Sequence, residues 1–541
     1  MLNFLNPHLY INIVLSIINA VVLCFVAYKF FQTIQLGGYK IRGYFSWLKA
    51  TKGNYLTRLF MLSFLSLLCI LVTNTVFIFY TKNIYFGYIG LVFYFIYCSV
   101  FIRYVYTRPD KVPLKYTHRM NRYISVFAVL SAVITFFLNA LCYDFTNIFK
   151  FSFIALTPLL VPVIAILVHY VTMPFEALIR LRYINKCKKK LVKSPNLKVI
   201  AITGSYGKTS TKFILAQMLQ QKYNVLATPN SFNTPMGITK TVNNFLKPEH
   251  EILVAEFGAN AVNDIKQLCN IAKPDIAVVT NIGNQHLSTF RSFENIVKTK
   301  CEIFEYMKPN ATAVFNLDDE NIAKYAKQFK GNKITVSTNE KCFIKIDNVK
   351  VTAKGSSFDL IADNKTQKVT TNLLGEHNIQ NIFLCSAIAY TMGVSLKEIA
   401  TAIQQLKPNK HRLELIENNN GVTVLDDSFN CNIQGFKQAL NVLSKFDGNK
   451  VLLTPGIIEL GKQQAQANYD IGVIASQICS KVIIVNKINR NHIENGLIDS
   501  GFKPENIYFY DTLLEAQLDF NKLLNPGDIL LIENDLPDNY I

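Results

Sequence analysis

Five apolar stretches, Ile11 to Phe31, Leu59 to Tyr80, Tyr85 to Tyr106, Ile124 to Leu141 and Phe151 to Val171, dominate the first third of the chain. Most approach the ~20 residues that carry a helix across a bilayer. Beyond residue 197 the pattern changes. Short β-like runs (Val199–Ile202, Ile252–Phe257, Ile276–Thr280, Ala313–Asn316, Val451–Thr454, Lys481–Val485 and Ile529–Ile532) alternate with helical stretches. That alternation predicts α/β layers with parallel sheets. The expected fold class is a multi-span α-helical membrane region followed by α/β domains, with nucleotide chemistry at the carboxyl ends of the strands.

Charge sharpens this division. The 541 residues are too many for one core. Residues 1–200 hold 22 Lys and Arg against Asp110, Asp144 and Glu176, so the whole formal charge of +19 lies there, and the remaining 34 basic residues balance 34 acidic ones. Cations that flank apolar segments point to phospholipid headgroups, and no nucleic-acid partner is expected. The loops alternate. Lys40, Arg42, Lys49, Lys52 and Arg58 fill the first and Lys82 stands alone in the second, whereas Arg108, Lys111, Lys115, Arg119 and Arg122 fill the third. Asp144 and Lys150 occupy the fourth, and Arg180, Arg182, Lys186 and Lys188–Lys190 follow the fifth span. The positive-inside rule then puts the N-terminus outside a cytoplasmic membrane and everything after the fifth span in the cytoplasm. The first span lacks a basic leader, runs long, and is followed by four more, so it reads as a helix and not a cleaved signal. The fourth segment is the shortest and carries Ser131, Thr135 and Asn139, which leaves a re-entrant course open. Arg103, one turn from a basic end, snorkels to the headgroups. Eleven scattered cysteines without a CxxC pair indicate neither a zinc cage nor a disulfide framework.

Candidate chemistry begins at Gly204-Ser205-Tyr206-Gly207-Lys208-Thr209-Ser210, between the run Val199–Ile202 and a helical segment from Thr211 to Gln221. Glycines let backbone amides face an anion, the helix N-terminus adds partial positive charge, Lys208 supplies a full one, and Thr209 can reach Mg²⁺. The longer Walker spacing fails, because Ile202 stands where it needs glycine. Three further residues stand just after apolar runs or in the helix beyond them. Glu256 ends Ile252–Ala255, His286 closes Thr280–Gln285, and Lys300 sits in Val297–Phe304. A carboxylate after a strand is a natural Mg²⁺ ligand. Taken singly, a glutamate is more often solvated, a histidine structural and a lysine a surface charge.

In order and spacing these pieces resemble the Mur ligases, the ATP-dependent amide-forming enzymes of cell-wall peptide synthesis. The similar motifs are Thr203–Thr211, Asn230–Gly237, Glu256–Asn260, His286-Leu287, Lys300–Phe304, Gly375–Asn381, His411-Arg412-Leu413-Glu414 and Asp426–Asn432, spread over residues 197 to 465. The resemblance implies that Lys300 is carbamylated and, with Glu256, His286 and Thr209, helps hold Mg²⁺. It also implies that Gly204, Ser205, Gly207, Lys208, Thr209 and Ser210 bind the phosphates of ATP. His377, Asn378 and Asn381 would border the adenine, Arg412 would reach the phosphates, and Asp427 would orient the nucleotide. Lys208, Lys300 and His286 would be catalytic.

The organisation implied is a five-helix transmembrane region (1–175), a basic juxtamembrane linker (176–194), a central P-loop ATPase domain (195–408) and a Rossmann-like C-terminal domain (409–541). The activity implied is activation of a carboxylate as an acyl phosphate, followed by attack of an amino acid or dipeptide amine. Family members acting on soluble precursors carry a uridine-nucleotide domain where this chain has its spans, so the acceptor is either a small-molecule or a lipid-linked cell-wall precursor. Tyr206, Thr234 and Pro235 depart from the residues usual in the family. A nucleotide-driven transporter is disfavoured by spans with few ionisable groups and no broken helix pairs. A scaffold without chemistry is disfavoured by the retention of Lys208, Glu256, His286 and Lys300.

Overall fold

The computed structural model describes residues 7–50, 53–80, 87–107, 112–143, 151–283, 287–337, 342, 344–417, 420–429, 432–458 and 460–534. The chain divides into two compact units, one running to Leu181 and the other from Arg182.

The first unit is helical. Five of its helices are long and apolar enough to cross a membrane, with qualifying stretches Leu9–Val26, Asn54–Val76, Tyr88–Tyr106, His118–Leu141 and Ser152–Val192. The apolar run from Ile11 to Phe31 is not one helix: Pro7–Val26 ends at Ala27, and Tyr28–Leu36 follows as a separate short helix. The fourth segment is one uninterrupted helix, His118–Tyr143, without the break that a re-entrant course needs. Apolar residues such as Val92, Val129 and Phe137 point outwards. Polar residues point inwards: Asn19 Nδ2 donates to Thr135 Oγ1 and Thr157 Oγ1 (3.0 Å each) and Asn19 Oδ1 accepts from Tyr94 (2.6 Å). This inversion suits helices surrounded by lipid and glued by internal hydrogen bonds. The basic stretch expected as a linker is helical, forming the last turns of Thr157–Val192, because Lys and Arg favour helix as readily as the apolar residues before them.

The second unit is α/β. Strands β1 (Lys198–Thr203), β2 (Val225–Ala227), β3 (Ile252–Glu256), β4 (Ile276–Val279), β5 (Thr312–Asn316) and β6 (Asn332–Val336) form a parallel sheet in the order β2-β3-β1-β4-β5-β6. Their β-branched runs are buried on both faces by two apolar clusters, as helix-covered parallel strands require. An antiparallel sheet of β7 (Ile344–Thr352), β8 (Gly355–Ala362) and β9 (Lys365–Thr371) adds Phe358, Leu360 and Val369 to one of these clusters. The third sheet runs β10-β11-β15-β12-β13-β14: β10 (Glu414–Glu417), β11 (Thr423–Asp427), β15 (Ile529–Glu533), β12 (Lys450–Thr454), β13 (Lys481–Val485) and β14 (Ile507–Tyr510). Only its β10–β11 pair is antiparallel. In the first sheet β1 lies where the strand order reverses, so the loop after it opens into the crevice that such sheets use for ligands.

Candidate active site

The helix after β1 starts at Lys208, three residues before the segment expected from sequence, with Gly207 as its N-cap at φ 75°. Glycine is required here twice over. That φ is left-handed, and a Cβ on Gly207 would lie 2.8 Å from Asn381 Oδ1. Gly204 (φ 149°) has no room either, since a Cβ would overlap Thr280 Oγ1. The loop is tied to the end of β4 by Ser205 N–H to Asn281 O (2.9 Å), Tyr206 N–H to Asn281 Oδ1 (2.8 Å) and Thr280 Oγ1 to Tyr206 O (2.6 Å). The Tyr206 ring lies against Gly283, where a Cβ would sit 2.5 Å from its Cε2. Lys208 Nζ donates to the carbonyls of Gly204 (2.7 Å) and Ser205 (2.9 Å). Desolvation in the loop lowers its pKa to about 8; Glu256 opposes this shift and Arg412 adds to it.

Glu256, the last residue of β3, is buried at the centre of a hydrogen-bond cluster. Its Oε2 accepts from Thr209 Oγ1 (2.9 Å) and Lys212 Nζ (3.2 Å), its Oε1 from Asn233 Nδ2 (3.0 Å), and its own N–H donates to Thr228 Oγ1 (3.2 Å). Lys212 also donates to Asn230 O. Sequence reasoning gave Lys212, Thr228 and Asn233 no role. The available signal was the position of Lys212 one turn after Thr209, on the same face of the helix. Lys300, on helix Phe293–Glu305, is 2% exposed. Among the described residues its ammonium has no hydrogen-bond partner, and desolvation, then the charge of Lys208, hold its pKa well below the usual lysine range, against Asp264. His286 lies outside the described residues, as do Asn430 and Cys431 of the Asp426–Asn432 motif.

A cleft of about 360 Å³ opens in front of the loop, with Tyr206, Gly207 and Ser210 on one side and Arg412, Asp427 and Asn432 on the other. His377, Asn378 and Asn381 line it from the helix Glu376–Thr391, which Gly375 (φ 87°) starts. Asn381 Oδ1 accepts from Thr211 (3.1 Å) and Asn378 Nδ2 donates to Leu374 O (2.8 Å). Burial, then Arg412, lower the His377 pKa to about 4, so the ring is neutral near pH 7, and its buried Nδ1 has no hydrogen-bond partner among the described residues. Arg412 lies over the Phe429 ring (4.8 Å). Asp427 Oδ1 accepts from Leu413 N–H (3.2 Å), and burial raises its pKa to about 6 against the pull of Arg412. The loop after β1, the Asp427 carboxyl group and the Arg412 guanidinium group are therefore presented to one cleft.

The Mur ligase middle domain matches residues 202–389 and the Mur ligase glutamate ligase domain residues 411–533. The UDP-N-acetylmuramoyl-tripeptide–D-alanyl-D-alanine ligase of Buchnera aphidicola subsp. Baizongia pistaciae is 31% identical over 339 residues, 62% of this chain and 72% of that protein. The ligase of the same name from Escherichia coli K12 is 31% identical over 280 residues, 51% of this chain and 62% of that one. Among crystal structures, MurF from Acinetobacter baumannii aligns with TM-score 0.59 and 26% identity over 66% of this chain and 77% of its own. MurF from Thermotoga maritima, in complex with ADP, gives the same TM-score and identity, over 66% and 80%. The matched region thus spans 72% and 62% of the length of these two curated relatives. The chain belongs to the Mur ligase family, the ATP-dependent ligases that form amide bonds.

Proposed function

We propose that this protein adds D-alanyl-D-alanine, or a closely similar amine, to the carboxylate of a muramyl peptide, using ATP, with its ligase domains on the cytoplasmic side of a membrane crossed by its five apolar helices. The observation that carries the reading is the cleft itself, lined by Tyr206, Gly207 and Ser210 of the loop on one side and by Arg412 and Asp427 on the other, with Thr209 of the same loop hydrogen-bonded to the buried Glu256. The relatives named for that reaction supply the substrate class.

In this reading residues 195–408 hold ATP and residues 409–541 close over it. The loop amides and Lys208 bind the β- and γ-phosphates. The neutral His377, Asn378 and Asn381 border the adenine, and Asp427 orients the nucleotide. The acceptor carboxylate attacks the γ-phosphorus and ADP leaves. The amine then attacks the acyl carbon, and the tetrahedral intermediate collapses to an amide and phosphate. No protein nucleophile is needed: Lys208 and Arg412 offset charge as the phosphoryl group moves, and closure of the cleft aligns amine with acyl phosphate.

The donor set suits a divalent cation. Glu256 presents a carboxylate beside the Thr209 hydroxyl, the pairing of a hard anion and a neutral oxygen that Mg²⁺ prefers. Lys300 is buried and without a hydrogen-bond partner among the described residues, and desolvation favours its free amine, the form that takes up carbon dioxide as a carbamate and becomes an anion. With His286, these residues would hold Mg²⁺, which supplies neutralisation of the phosphoryl oxygens.

The test is ADP release by the full chain in detergent with Mg²⁺ and bicarbonate. A uridine-linked muramyl tripeptide is compared with its lipid-linked counterpart, each with D-alanyl-D-alanine or D-alanine. Amine-dependent turnover that disappears in Lys300→Ala is expected with one acceptor. Nucleotide binding without turnover for any pair refutes the substrate assignment.

A further inference from the structure

The helical unit carries an arginine cluster that the ligase chemistry does not use. Arg119 and Arg122 stand in the first turns of helix His118–Tyr143, and Glu176 and Arg180 one turn apart on helix Thr157–Val192. Arg122 grips Glu176 Oε1 through Nε and Nη2, both at 2.7 Å. Arg119 Nε lies 3.6 Å from Glu176 Oε2, and its guanidinium carbon sits 3.8 Å above the Tyr39 ring. Arg180 is near enough for its charge to act on Arg119. Glu176 is the one carboxylate among the described residues of this unit, so among these residues three guanidinium groups share a single anion, an excess of two positive charges.

Two features distinguish this cluster from an ordinary basic helix end. First, it is preorganised. Tyr39 and Glu176 fix the plane of Arg119, yet among the described residues neither of its Nη groups, nor any donor of Arg180, has a hydrogen-bond partner. Both Arg119 and Arg122 keep more than two fifths of their side chains exposed. A clamped guanidinium with unused donors is matched to the oxygens of a phosphate. Second, the same stretch of helix exposes Met173, Phe175 and Leu178, apolar side chains that would lie along acyl tails. A soluble anion has no use for them.

We propose that Arg119, Arg122 and Arg180 form a binding site for the phosphates of an anionic membrane lipid, with a headgroup carrying two phosphates the best charge match. This rests on the reading that the apolar helices enter a bilayer. Free pyrophosphate offers the same phosphate chemistry without the tails.

The full chain would be reconstituted with phosphatidylcholine vesicles containing phosphatidylglycerol, cardiolipin or neither. Vesicle flotation in high salt is read first, then retained lipid by native mass spectrometry, with inorganic pyrophosphate as competitor. The wild type should retain cardiolipin at least tenfold over phosphatidylcholine. Arg180→Gln, which breaks no hydrogen bond or ion pair among the described residues, should lose most of that preference, and Arg119→Gln with Arg180→Gln all of it. Lys40→Gln with Lys49→Gln, which removes the same charge from the exposed surface of the same unit, should keep it. Glu176→Gln should strengthen retention by removing the competing carboxylate. Equal losses in the Lys40 and Lys49 variant would reduce the effect to general charge and overturn the site, as would displacement of the lipid by equimolar pyrophosphate. Flotation with every vesicle but no lipid preference would refute this site alone. Failure to float with any vesicle would refute the membrane reading and this inference together.

Discussion

Lys212 and Glu256 form an ion pair of 3.2 Å in which neither side chain is more than 1% exposed. Removing one member of such a pair strands the other charge, at a cost of about 3–5 kcal/mol. Lys212→Met should therefore lower the thermal midpoint of the detergent-solubilised protein severely, and Glu256→Gln should do the same. Lys212→Met with Glu256→Gln should recover part of the loss, because no unpaired charge remains. Additive losses in the double variant would show that the two residues act independently.

The geometry at Gly204 and Gly207 leads to a prediction of binding and not of folding. A methyl group at either position meets Thr280 or Asn381 and forces the loop to move. Gly204→Ala and Gly207→Ala should each weaken nucleotide binding at least tenfold in equilibrium dialysis, while the helical content seen by circular dichroism stays unchanged. Lys208→Ala should likewise abolish turnover and keep the fold.

On the proposed reading, Lys208 should set the alkaline limit of nucleotide affinity. Its folded pKa, depressed to about 8 by desolvation, means that it is charged at neutral pH and loses its proton as the pH rises through 8. ATP affinity should fall over that interval, with proton uptake on binding measurable by calorimetry in buffers of different ionisation heat. The same depression has a stability sign: its contribution is present above the ordinary lysine value near 10.5 and is lost as pH falls through 8.

Asp427 behaves in the opposite sense. Burial raises its pKa to about 6, and its side chain hydrogen-bonds to Glu533, its register partner on β15. A carboxyl group whose folded pKa is raised contributes stability that is complete below its unfolded value near 3.8 and is lost as the pH rises through 6. Unfolding followed by Tyr fluorescence should show that loss between about pH 4 and 6. Asp427→Asn, which removes the titrating group, should flatten it; an unchanged profile would mean that another group carries the pH dependence.

Much of this architecture can be read from the chain. The apolar runs at Ile252, Ile276, Lys481 and Ile529 are strands within a residue or so of the expected limits, because buried parallel strands are continuous β-branched stretches bounded by turn residues. The turn from β1 into the helix at Lys208 is legible because its glycines serve backbone geometry, a local property. Lys212 and Glu533 are not legible. A lysine in a helix and a glutamate after a strand look solvent-facing until the fold supplies Glu256 and Asp427 as partners, 44 and 106 residues away in sequence. The antiparallel β7–β9 sheet was also missed: its strands mix polar and apolar residues on a half-exposed face, so no unbroken apolar run announces them.

The aromatic ring at position 206 has a consequence for the variation this fold can tolerate. Tyr206 occupies the volume that a side chain at position 283 would need, so the two positions, 77 residues apart, hold one volume between them. A sequence that places a small residue at the first is free to place alanine or serine at the second, whereas a sequence that keeps tyrosine is bound to glycine. A side chain at position 283 should thus appear only with a smaller residue at position 206, and one found beside a retained tyrosine marks a chain in which that ring has moved.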